Sequence, residues 1–179
     1  MGCDIHAYIE VKNPDTNGWE FLSLYKKADG EVKPVDFYDG RDYMLFGKLA
    51  GVRAIGVDPI APRRGLPENL SEEVKAFYNE GEGYFHSETW YDFAELRAAA
   101  GYDQEVCKHL FNEIIGYFEG LDADVITDTE EYITEMLREE RDDMERLKQF
   151  VEDIERVLDA YWFFNTDPGQ IRIVMWFDN

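Results

Sequence analysis

The chain has 179 residues, 45% hydrophobic and 15% aromatic, which predicts a folded domain with a real core rather than a disordered chain. No apolar run approaches the roughly 20 residues of a membrane span, and two cysteines, Cys3 and Cys107, are too few for a disulfide scaffold. The net charge of −21 opposes direct nucleic-acid binding and, with the sparse cysteines, predicts a reduced, cytoplasmic protein with no membrane partner.

Residues 3–12 read as a strand. Cys3, Ile5, Ala7, Ile9 and Val11 form one apolar parity, and Asp4, His6, Tyr8 and Glu10 form the other. Asn13-Pro14-Asp15-Thr16-Asn17-Gly18 is a turn signal, so Trp19 to Lys26 is expected to pair back as a hairpin. Ala28 to Arg41 reads as a loop. Asp42 to Ala50 has the spacing of a short helix, with Asp42 as its cap and Gly51 at its end. Residues 53–70 are rich in proline and arginine and read as a long irregular loop. Ser71 opens a helix that ends near Gly81. Ser87 is expected to cap a further helix running to about Ala100, with Trp90, Phe93 and Leu96 on its apolar side.

From residue 103 the chain turns acidic. Residues 103–160 hold 19 acids and 6 bases. Thr127 and Glu130 match a capping box, and the helix that follows is expected to reach about residue 162. Leu137, Met144, Val151 and Leu158 fall seven apart, as do Leu147, Ile154 and Tyr161. They form a seam that two antiparallel helices, or a homodimer through this helical insertion, would bury. After a turn at residues 165–169, Ile171, Ile173, Met175 and Phe177 alternate with Arg172, Val174, Trp176 and Asp178 in a second terminal strand.

The predicted fold class is α+β. A small antiparallel sheet includes the N- and C-terminal strands and is packed with helices, and an acidic helical hairpin is inserted in it. The core domain takes residues 1–102 and 165–179, and the insertion takes 103–164. Helices should cover the Ile5/Ile9 and Ile173/Phe177 face.

Three constellations carry possible chemistry. Asp4 and His6 point the same way on one strand, about 7 Å apart, and can ligate a metal or orient each other for proton transfer. Cys3 has the opposite parity to His6, so a shared zinc is not expected. His86 is expected just before a helix N-terminus, where backbone N–H groups favour an anion. Arg41, Arg53, Arg63 and Arg64 lie in loops or at helix ends, and guanidinium groups recognise carboxylate and phosphate by paired hydrogen bonds. Each has a plain structural alternative: a satisfied polar pair, an N-cap, or neutralisation of nearby acids. The P-loop, dinucleotide fingerprint, HExxH, GxSxG and paired CxxC motifs are absent.

Several stretches carry a resemblance. They are Met1–His6, Tyr38–Tyr43, Leu45-Phe46, Leu49–Arg53, Pro59-Ile60, Arg64–Pro67, His86-Ser87, Trp90 and Ile171–Asn179. With these the chain resembles a group of phage and bacterial proteins that begin Met-Gly-Cys-Asp-Ile-His. The resemblance covers residues 1–100 and 170–179. It implies a host-interaction or counter-defence role and no particular reaction.

The leading expectation is a domain that binds a small anionic, nucleotide-like ligand. Arg41, Arg53 and Arg64 would meet its charge. His6 and His86 would hydrogen-bond it, with Asp4 setting the His6 tautomer, and Tyr43, Trp90 or Trp176 would stack on a ring. In a phage setting such a protein would sequester a host immune signalling nucleotide. A second expectation is a hydrolase using a divalent metal held by Asp4, His6 and His86. A third is an acidic interaction protein that mimics DNA or binds a basic host protein.

Overall fold

In the computed structural model, residues 2–28, 31–34, 37–38, 40–53, 57–81, 83–101, 144–161, 163 and 166–179 are described. A four-stranded antiparallel sheet in the order β2-β1-β6-β5 organises the fold. Its centre is the pair β1 (Asp4–Lys12) and β6 (Ile171–Asp178), which brings the two terminal strands together in register from Asp4↔Asp178 to Val11↔Ile171. The alternation in each strand accounts for this. Opposed residues share a face, so Ile5, Ala7, Ile9 and Val11 meet Phe177, Met175, Ile173 and Ile171.

β2 is only Trp19–Phe21, shorter than the expected strand to Lys26. The chain then separates into a two-stranded sheet of β3 (Tyr25–Ala28) and β4 (Glu31–Pro34), so the stretch expected to be a loop contains a strand. α1 (Tyr43–Ala50) begins where predicted. Asp42 Oδ1 accepts from the Leu45 N–H at 3.1 Å, and Gly51 closes the helix at φ +64°, a conformation that favours glycine. α2 (Glu72–Glu80) is capped by Ser71.

The expected helix from Ser87 is not formed at its start. Residues His86–Asp92 are β5, and α3 begins only at Phe93 and runs to Gly101. Thr89 and Tyr91 face the core opposite Met175 and Ile173, while Trp90 lies on the other face opposite Val174. The cap that starts α3 comes instead from Glu95, whose carboxylate accepts from the Asp92 N–H at 3.0 Å.

Residues 144–160 are helical. Their buried side chains, Leu147, Phe150, Val151, Ile154 and Leu158, join one cluster with α1, α3 and the Ile5/Phe177 face of the sheet. The six described residues of the predicted seam, Met144 to Tyr161, therefore pack in or against the chain's own core. Leu137, the Thr127/Glu130 capping box and the domain boundary near 103 lie outside the described residues.

The opposite face of the sheet is covered too. Val174 and Trp176 pack under α2 and the preceding loop, with Tyr8, Phe77, Tyr78 and Phe85 around them. Residues 171–177 are consequently buried throughout. Among the described residues no helix is long and apolar enough to cross a membrane.

Candidate functional site

One end of the sheet is polar. The start of β1, the end of β6 and the start of β5 meet there, bringing Cys3, Asp4, His6, His86, Asp178 and Asn179 to a common edge. Two arginines, Arg41 and Arg53, reach it from either side of α1. Five predicted site residues, Asp4, His6, Arg41, Arg53 and His86, thus gather at this end, but on two faces.

On the first face, the Arg41 guanidinium grips the Asp4 carboxylate with two hydrogen bonds, Nη2 donating to Oδ2 at 2.7 Å. The Arg41 hydrogen bond holds the Asp4 carboxyl below its usual range. His6 is therefore not partnered by Asp4, as expected from sequence, but by Asp178: His6 Nε2 lies 3.3 Å from Asp178 Oδ2. Asp178 Oδ1 also accepts from the Asp4 N–H at 3.3 Å. The His6 ring lies nearly parallel to Trp176, 6.2 Å between centroids.

The second face carries different chemistry. His86 pairs with Phe177, which pairs with Ile5, so His86 belongs to the Ile5 face and His6 to the other. Arg53 donates to Asn179 Oδ1 at 3.1 Å and lies near the buried Cys3 thiol. Burial pushes that thiol's pKa up, against the pull of Arg53. The Cys3 N–H donates to the Tyr43 hydroxyl at 3.2 Å. Beside them, Ser87 Oγ lies 2.9 Å from His86 Nδ1 and accepts from the Arg63 guanidinium. His86 Nε2 is buried with no hydrogen-bond partner among the described residues.

This arrangement decides the Ser87 hydroxyl. An orphaned buried N–H is rarer in folded proteins than an under-satisfied acceptor, which favours the His86 tautomer with its proton on Nδ1. Nδ1–H and Arg63 then both donate to Ser87 Oγ, leaving the hydroxyl hydrogen to point at whatever enters the site.

The backbone is strained at the same place. Among the described residues three that are not glycine have positive φ: Asn17, Arg53 and Ser87. Asn17 is in the β1–β2 turn, where asparagine tolerates that conformation. Arg53 (φ +56°) and Ser87 (φ +60°) are both at the polar end of the sheet, and Ser87 is in the irregular pairing between His86 and Thr89. Such conformations cost about 1 kcal/mol or more each and concentrate at functional sites.

Other predicted site residues are elsewhere. Arg64 lies along the outer edge of β5, with its guanidinium held by both Glu95 oxygens at 2.7 Å and stacked over Trp90 at 5.0 Å. It fastens the loop to α3. Trp90 thus stacks on a cation of its own chain. Trp176 is 0% exposed, so it is not the open stacking platform expected from sequence.

Asp4, His6 and His86 do not form a metal site: parity divides the histidines between faces. No group of three or more His, Cys, Asp or Glu that could hold a metal occurs among the described residues. Sequence reasoning missed Asn179, and it set Asp178 on the strand beside the pocket floor without pairing it with His6, because alternation fixes parity and not register. It also missed Ser87 as a site residue, reading its hydroxyl as a helix cap. A groove of about 240 Å³ between β3 and residues 144–160, lined by Leu24, Tyr25, Phe37 and Val157 among others, includes none of the predicted site residues.

Comparison with protein-family models, curated proteins and solved structures finds no match to the chain.

Proposed function

We propose that the protein binds a small anion, a phosphate or carboxylate group such as a nucleotide carries, at the polar end of the sheet on the Arg53/His86 face. The observation that carries this reading is the coincidence of both non-turn strained residues, Arg53 and Ser87, with His86 and Arg63. The irregular pairing between His86 and Thr89 sets Ser87 at φ +60°. A hydroxyl that must present its hydrogen outward gives the strain a use. Arg63 strengthens the case. Its guanidinium bonds a neutral hydroxyl, whereas Arg41, Arg64 and Arg172 are each matched to a carboxylate. An anion that meets Arg63, Arg53 and the Ser87 O–H would receive charge-assisted hydrogen bonds from several directions.

The site differs in membership from the one expected from sequence. Arg41 and Arg64 would have to release carboxylates to join it, so they are left out. Calorimetric titration with inorganic phosphate, pyrophosphate and a panel of nucleotides tests the reading. Arg63→Ala should weaken binding about tenfold or more, the scale of one lost charge-assisted hydrogen bond, and His86→Ala should weaken it less, because His86 acts only by orienting the Ser87 hydroxyl. Arg64→Ala should leave it unchanged. Absence of binding to every member of the panel overturns the proposal.

A further inference from the structure

On the opposite face of the sheet, Trp176 stands in a box of rings. Tyr8 lies 4.8 Å from it between centroids, Tyr78 5.1 Å, Phe85 5.6 Å and His6 6.2 Å. Trp176 is fully buried, yet its indole Nε1–H has no acceptor among the described residues. A buried donor without a partner is costly and rare, and the side chains packed around Trp176 are aromatic and aliphatic, Val74, Leu66 and Leu70 among them.

Phe85 differs from the other walls of the box. Tyr8 comes from β1, Tyr78 from α2 and His6 from β1, but Phe85 comes from the turn joining α2 to β5. It is half-buried, and its ring is seated against Gly81, where a Cβ would come within 2.2 Å of it. Gly83, two residues before it, is at φ +94°. The ring therefore fills space that the missing Gly81 side chain leaves open, at the end of a turn that contains two glycines. It packs on the rings of His6 at 5.0 Å and Tyr78 at 5.6 Å but, being a hydrocarbon, takes no hydrogen bond from the polar groups at the rim. Those are His6 with Asp178 at 3.3 Å, and the Tyr78 hydroxyl donating to Glu88 at 2.7 Å.

We propose that Phe85 occupies a subsite for a planar heteroaromatic ring of the nucleobase class. A base displacing Phe85 would stack within the same rings and supply a carbonyl or ring nitrogen to the Trp176 N–H, which Phe85 cannot do. Its polar edge would meet His6 and Asp178. Base–aromatic stacking is sequence-tolerant and strong enough to compensate for the displaced ring. This subsite does not depend on the anion site, which is on the other face.

Uncharged nucleosides test it, since they carry nothing for the arginines. Adenosine, guanosine, cytidine and uridine are titrated into wild type and Phe85→Ala while the indole N–H resonances are followed, with Trp176 assigned through Trp176→Phe. At least one nucleoside should shift the Trp176 resonance saturably, and about tenfold more tightly in Phe85→Ala, where no ring has to leave. Should Phe85→Ala not fold, Gly81→Ala carries the same expectation, because its methyl group unseats the Phe85 ring. A Trp176 resonance that stays in place with all four nucleosides, in wild type and in every variant that folds, overturns the proposal.

Discussion

Glu10 and Arg172 stand directly opposite each other on β1 and β6, and Arg172 Nε donates to Glu10 Oε2 at 2.6 Å with both side chains buried. Every side-chain nitrogen of Arg172 and both carboxylate oxygens of Glu10 have a partner. Glu10 Oε1 accepts from the Ser71 N–H at 2.7 Å, the other two Arg172 nitrogens donate to Asn69, and Trp19 lies over the guanidinium at 4.1 Å. The pair thus fastens the 57–71 loop and the start of α2 to the sheet. Glu10→Gln keeps the Ser71 hydrogen bond and strands the arginine, so it should cost about 3–5 kcal/mol in urea unfolding. Adding Arg172→Met removes the stranded charge and should return at least about 1 kcal/mol. A double variant no more stable than Glu10→Gln would show that the ion pair is not what holds this face.

Arg64 and Glu95 make a more exposed pair with a pH signature. Chiefly through the Arg64 hydrogen bond, the Glu95 carboxyl is held below its usual range in the folded chain. A depressed carboxylate adds stability above its unfolded pKa of about 4.3 and loses it as pH falls through the lower folded value. Glu95→Gln should therefore be less stable than wild type by about 0.5 kcal/mol at pH 7, a figure already reduced for solvent screening. The difference should vanish toward pH 3. Urea midpoints at pH 7, 5 and 3 measure this, and a gap that widens on acidification contradicts the assignment.

The two terminal strands are legible in the sequence because each has one wholly apolar parity, and the caps at Asp42 and Ser71 are legible because their partners lie three residues away. β5 is not. It is covered on both faces, which erases the simple alternation. Ser87 and the spacing of Trp90, Phe93 and Leu96 imitate a capped helix. The buried side of Glu10 is equally hidden, since its parity reads as solvent-facing until an arginine 162 residues away matches it. For the site, sequence identified the histidines and arginines but not their faces. Faces depend on strand register, and register is a long-range property.

The seam in residues 144–160 is matched to the chain's own sheet rather than to a second copy. Ile154 is 0% exposed and shares its cluster with residues of α1, α3 and β6. Ile154→Ala should lower stability by about 2–5 kcal/mol, the range for a buried aliphatic truncation. The unfolding midpoint should not depend on protein concentration, in wild type or variant. A midpoint that rises with concentration over a hundredfold range would instead place a second chain against this seam.

Ser87 separates backbone strain from hydroxyl chemistry. Replacing it with alanine or with glycine removes the same Oγ and the same bonds to His86 and Arg63. The two variants differ in how they tolerate φ +60°, a conformation glycine adopts freely and alanine does not. Ser87→Gly should therefore be more stable than Ser87→Ala by about 1 kcal/mol. Phosphate or nucleotide binding should fall in both to the same degree, because neither can present a hydroxyl hydrogen. Thermal unfolding and calorimetry on the pair read the two effects independently. Equal stabilities would mean that the strand relaxes around alanine and that the strain is not imposed by the fold. Binding kept by Ser87→Gly would leave Arg53 and Arg63 as the anion's contacts and release Ser87 from the site.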